Sequence, residues 1–132
     1  MPTIIRFEDI EAWKTARELT RMVYALTEQG QFAKDFGLKN QIQRASVSVM
    51  SNIAEGFESR TQAKFIDYLG HAKASAGEVR SQLYIALDLN YVAQEQFDQA
   101  DKASRQIARF MSYLEAHPQS RHVREEGSEY EV

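Results

Sequence analysis

The chain has 132 residues, enough for one domain with a core of its own, and its charged and aromatic content is that of an ordinary folded protein. It contains no cysteine, which excludes disulfides, thiolate metal sites and a catalytic thiol and fits a reducing compartment. Sixteen Lys and Arg stand against 19 Asp and Glu, so any nucleic-acid-binding surface must be a local patch rather than a general basic excess.

The N-terminal segment MPTIIRFEDIEAW has no apolar run of signal-peptide length, and no stretch is long and apolar enough to span a bilayer. The expectation is a cytoplasmic protein without membrane association. Proline occurs only at positions 2 and 118, leaving an interior free of the residue most hostile to helices. Between glycine- and asparagine-marked breaks the spacing predicts helices over about residues 8–29, 38–57, 61–89 and 93–116.

In the first segment Trp13, Ala16, Leu19, Val23 and Leu26 gather on one side, with Lys14, Arg17 and Arg21 opposite. The segment GQFAKDFG, bracketed by Gly30 and Gly37, reads as a loop. The stretch RASVSVMS at 44–51 alternates small polar and apolar residues, as a half-buried strand would. At helical period, however, Ile42, Ala45, Val49, Ile53 and Gly56 fall on one line, Val47, Met50 and Ala54 on a second, and Arg44, Ser48, Ser51 and Glu55 on a polar third. No other segment alternates at period two, so a strand here would lack partners. The helix is the better reading.

After Gly56, Ser59 or Thr61 is available to cap the next helix. There Phe65, Leu69, Ala72, Ala76, Val79, Leu83 and Leu87 form a regular stripe, and Asn90-Tyr91 ends the segment. The fourth helix repeats the pattern with Ala100, Ala103, Ile107, Met111 and Leu114. These spacings predict an all-α fold, an antiparallel up-down-up-down four-helix bundle over residues 1–116. Residues 117–132, with four Glu and two Arg, are expected to be a mobile acidic tail, leaving 14 basic and 15 acidic groups in the bundle.

Two features exceed what a lone bundle needs. The second helix is apolar over more than half its circumference, and on the third Gly70, Ala74, Gly77 and Ser81 make a smooth strip away from the core stripe. Glycine within a helix costs about 1 kcal/mol relative to alanine, so close approach by another helix is expected to compensate. Both features predict a homo-oligomer.

Candidate chemistry is sparse. The seam of Arg44, Ser48, Ser51, Asn52 and Glu55, with Glu78 able to approach from the third helix, contains no histidine to serve as a base. Its simpler role is to fix register within the bundle or across an interface, and no enzymatic activity is expected. The chain lacks the Glu-x-x-His pairs of bundle di-iron sites, and Asp67, His71 and Glu78 read as a solvated face rather than metal ligands. No cofactor is expected. Lys14, Arg17 and Arg21, with Lys102, Arg105 and Arg109, share a three-then-four spacing on first and last helices that are commonly neighbours. They are the candidate phosphate-binding residues, although Asp98 and Asp101 are placed to pair with Lys102 and Arg105 four residues on.

Several of these segments resemble a known family. FEDIEAWK at 7–14, QIQRASVS at 41–48, SNIAEGF at 51–57, KFIDYL at 64–69 and EVRSQL at 78–83 are similar to the bacterial four-helix-bundle proteins of ribosomal-RNA intervening sequences. Met50 stands where that family usually has proline. The resemblance implies an antiparallel bundle assembled as a closed ring, typically a pentamer, encoded within insertions in large-subunit ribosomal RNA genes or elsewhere in bacterial genomes. It also implies a likeness to accessory proteins of diversity-generating retroelements, and hence binding of RNA or another nucleic acid. A partner protein is the alternative ligand. The resemblance offers no catalytic residues, so Arg44, Ser48, Asn52, Glu55, Gly56, Gly70, Gly77 and Glu78 are expected to serve fold and assembly.

Overall fold

A computed structural model describes residues 4–117. The described residues form four α-helices and no strand: α1 (Glu11–Thr27), α2 (Phe36–Glu58), α3 (Gln62–Asp88) and α4 (Gln94–Ala116). Short 3-10 turns at Phe7–Asp9 and Phe32–Lys34 precede α1 and α2. The expected acidic tail lies, apart from His117, outside the described residues.

The helices begin and end where local chemistry permits. α1 starts at Glu11 rather than residue 8 because Ile10 is extended, with φ −74° and ψ 122°, so the preceding Phe7–Asp9 turn cannot continue into the helix. It ends early because the Thr27 hydroxyl turns back onto the Val23 and Tyr24 carbonyls, after which Gly30 adopts a left-handed φ of 52°. α2 starts two residues before the expected position, since the Asp35 carboxylate accepts a hydrogen bond from the Leu38 N–H at 3.1 Å. The helix then runs unbroken through the 44–51 stretch. Thr61 caps α3 by accepting from the Lys64 N–H, as the sequence suggested. Asn90, at a left-handed φ of 59°, closes it, and the Gln96 side chain caps the α4 start by accepting from the Ala93 N–H at 2.8 Å.

Side-chain contacts join consecutive helices. Thr20 reaches the Ser46 carbonyl while Thr27 accepts from Gln43, and Gln41 meets Gln82 while Ser48 meets Ser75. Between α3 and α4, Arg80 pairs with Asp101 and Tyr84 packs on Phe97. α1 also packs against α4, closing four helices around a common core.

The stripes read from the sequence supply that core. Leu19, Val23, Ile42, Ile53, Leu69, Leu83, Ile107 and Met111 are all buried, and each such side chain contributes about 1.5–3 kcal/mol on removal from water. Trp13 is only half-buried. It stands edge-on to Phe7 with ring centroids 5.2 Å apart, while its neighbour Ala12 faces the interior. The larger surprise is Phe32, wholly buried although it lies in the segment read as a loop.

Phe32 stacks on Tyr91 at 5.2 Å, and the Tyr91 hydroxyl donates to Asp35 Oδ2 at 2.9 Å. Asp35 thus caps α2 with one oxygen and ties the α3–α4 connection to the α1–α2 connection with the other. The hydrogen bond to Asp35, then burial, then the carboxylate charge raise the Tyr91 pKa above its ordinary value of 10.0. Folding therefore favours the neutral phenol: the contribution is complete below the unfolded phenol's pKa and is lost as pH rises through the higher folded value. Tyr91→Phe is expected to lower the melting temperature at neutral pH and to flatten the loss of stability above about pH 10. Thermal melts of both proteins across that range check this, and parallel pH curves would remove the clasp from the account.

Candidate nucleic-acid interface

α1 presents its basic residues outward because the apolar stripe takes the opposite side, but each has a near neighbour. The Lys14 ammonium lies 3.2 Å from Glu11 Oε1, and Arg21 lies 3.3 Å from Glu18 Oε1. Arg17 sits over the Trp13 ring, 6.0 Å from its centroid. These exposed pairs are worth little in stability, and at this spacing they partly neutralise the local field.

On α4 the pattern differs from the spacing argument. Arg105 does bond Asp101, at 2.8 Å, and this hydrogen bond raises its pKa and holds it charged. Asp98 instead accepts from the Gln94 amide at 2.9 Å, and no ion pair forms on Lys102 or Arg109 among the described residues. Arg17 likewise enters no ion pair, so three of the six cations lack a carboxylate partner among the described residues.

Three of the six line recesses between α1 and α4 that share Gln106. Lys14 and Lys102 line a groove between α1 and α4, together with Glu18, Gln99 and Gln106. Arg109 lines the neighbouring recess at the N-terminal end of α1, a mainly apolar hollow of about 610 Å³ walled by Ile10, Phe110, Tyr113 and Leu114, with Asp9 and Glu11 beside it. Arg105 leans toward α3 through Asp101, which also reaches Arg80 at 3.6 Å. The two-lysine groove is thus the part of the basic set that the fold assembles from different helices.

The polar seam of α2 faces α3. Ser48 Oγ meets Ser75 Oγ at 2.9 Å, and the Asn52 amide donates to the Ser48 carbonyl at 2.8 Å and its hydroxyl at 3.0 Å. Arg44 and Glu78 line the same shallow recess with Gln41, Ser48, Ser75 and Gln82. They form no ion pair with each other or with any described residue. The Ser48 and Ser75 hydroxyls bond each other and Asn52 bonds Ser48, so the seam links α2 to α3. Ser75 could not be read from the sequence as a partner of Ser48, because it sits 27 residues away on a different helix.

Gly56 has a purely structural place. A Cβ there would stand 2.9 Å from Tyr68 Cβ, so glycine is what lets α2 and α3 close together just before the turn between them. Among the described residues no group of three His, Cys, Asp or Glu could hold a metal ion, and no helix is long and apolar enough to cross a membrane.

A family model described as 23S rRNA-intervening sequence protein matches residues 8–113. No curated protein matches the chain. Among solved structures, the chain is similar to a protein of unknown function from the S23 ribosomal protein family of Bacteroides thetaiotaomicron VPI-5482, at 24% identity with a TM-score of 0.73. That likeness covers 79% of this chain and 97% of the other and concerns the fold.

Proposed function

The chain belongs to the 23S rRNA-intervening sequence protein family, and from that premise we propose that it is a non-enzymatic RNA-binding accessory or scaffold of the cytoplasm. In this reading the four helices run up-down-up-down, several copies close into a ring, a pentamer by the family resemblance, and the α1–α4 side contacts RNA. The observation that carries it is the meeting of Lys14 and Lys102 in one groove between α1 and α4. A pair of lysines is a weak phosphate site alone, but repetition around a ring multiplies it through effective concentration.

The test is native mass by light scattering, with and without a short structured ribosomal RNA at low salt. The protein is expected to gain RNA mass, and binding should weaken steeply with salt because phosphate contacts release counterions. Lys14→Glu with Lys102→Glu is expected to weaken RNA binding at least about tenfold at low salt. Unchanged RNA affinity in that variant would exclude the groove.

A second reading has its own observation. The recess walled by Ile10, Phe110, Tyr113 and Leu114 is mainly apolar and suits a partner protein's side chain better than a phosphate. A protein partner held there would bind with little dependence on salt, which separates the two readings.

A further inference from the structure

Ion pairs among the described residues leave charges without a partner on every helix, Arg17 on α1 and Lys102 and Arg109 on α4 among them. On α1 and α4, Lys14, Arg21 and Arg105 each hold a carboxylate of their own chain. On α2 and α3, Arg44, Glu55 and Glu78 are exposed and enter no ion pair with a described residue. Arg44 and Glu78 even share one recess without closing to 4 Å.

Apolar exposure is concentrated on α2 and α3. Of the ten large hydrophobic residues exposed among the described residues, Phe36, Val47, Ile66, Tyr84, Ile85 and Leu89 belong to α2, α3 and the residue that ends α3. Between Ile66 and Tyr84 the surface of α3 is smooth. Ala74 and Ser81 are exposed, and a Cβ added at Gly70 or Gly77 would meet nothing within 4 Å. Two mid-helix glycines weaken α3 without any close approach inside the chain to explain them. The α2 and α3 surfaces together carry projecting apolar side chains, a strip that would admit a helix, and charges of both signs without an ion pair, with Tyr84 turned to Phe97 of α4 and Val47 beside Tyr24 of α1. An apolar centre bordered by complementary charges is the anatomy of a protein interface.

We propose that this α2–α3 face is where one copy of the chain docks on another, α2 of one copy lying along α3 of its neighbour. In this contact Val47 packs toward the Gly70–Gly77 strip, and Arg44 of one copy meets Glu78 or Glu55 of the next. The inference rests on the oligomeric reading above and adds which face carries the contact, leaving the α1–α4 groove open to RNA.

The test uses the full chain and three substitutions, read by light scattering and circular dichroism. The wild type is expected at a multiple of the 15.2 kDa chain mass. Gly77→Leu should keep the helical signal and a cooperative melt, because its site is open within the chain, while the mass falls to that of a single chain. Arg44→Glu and Glu78→Arg should each move dissociation to at least tenfold higher protein concentration, and the double exchange should restore assembly. An assembled wild type whose mass is unchanged in Gly77→Leu and Arg44→Glu would overturn the assignment of the face while leaving the oligomer standing. A Gly77→Leu chain that loses its helical signal would overturn it too, since the glycine would then serve the bundle itself. A wild type of single-chain mass at all concentrations would overturn both readings.

Discussion

Gly56→Ala is expected to lower the unfolding free energy by about 1–3 kcal/mol, even though alanine is the better helix former by about 1 kcal/mol. Propensity acts through the backbone of α2, and by itself would make the substitution stabilising. Against it stands a Cβ placed 2.9 Å from Tyr68 Cβ and 3.5 Å from both the ring and the carbonyl oxygen of Phe65. The nearest obstacle is a Cβ anchored to the α3 backbone, not the far end of a flexible side chain. Relief requires the helices to move apart, and Phe57 and Phe65, both buried there, would lose contact as they do. At roughly 3–6 °C per kcal/mol for a domain of this size, the melting temperature should fall measurably. Urea unfolding of the two proteins decides it, and a variant as stable as the wild type would show that the crossing relaxes without cost.

The second large effect is expected at Asp101. Its carboxylate lies between two guanidiniums: Arg105 of its own helix donates to Oδ2 at 2.8 Å, and Arg80 of α3 faces Oδ1 at 3.6 Å. The Arg80 contact is an ion pair without a hydrogen bond, and both facing atoms are shut off from solvent. With the Asp101 side chain 18% exposed and that of Arg80 32% exposed, removing the carboxylate leaves a partly desolvated cation. Asp101→Leu should therefore cost about 1–3 kcal/mol, below the figure for a fully buried pair because water still reaches both groups. Adding Arg80→Met should recover most of the loss, since an apolar pair has no unmet charge. Denaturation of both single variants and the double variant forms a thermodynamic cycle. Strict additivity would mean that Arg80 and Asp101 are not coupled.

Both predictions concern residues whose importance lies in what they face across the bundle, and this marks the limit of sequence reading here. Helical period, the absence of interior proline and the capping chemistry of Thr61 are properties of neighbouring residues, so the four helices were legible from the order of residues alone. So was the interior: nearly every side chain on the expected stripes is buried, because a stripe spaced at three and four must turn toward its neighbours to leave water. Even the misleading alternation at 44–51 yielded, since a strand needs partners that no other segment could supply.

The six basic residues illustrate what was not legible. Their spacing placed them on outward faces of α1 and α4, which is a local fact. Whether they share a surface depends on how far each helix is rotated and shifted against the next. Only tertiary structure brought Lys14 and Lys102 into one groove, turned Arg105 toward α3 and left Arg109 beside an apolar recess. The same dependence hid the Ser48–Ser75 contact, and the burial of Phe32 under the Tyr91–Asp35 clasp. By itself the sequence determined which residues form helices and which side of each helix is apolar, because both follow from interactions within a few residues. Partner choice, loop burial and the shape of every groove were decided by packing between segments distant in the chain, where helix rotation and register, not residue spacing, determine what meets what.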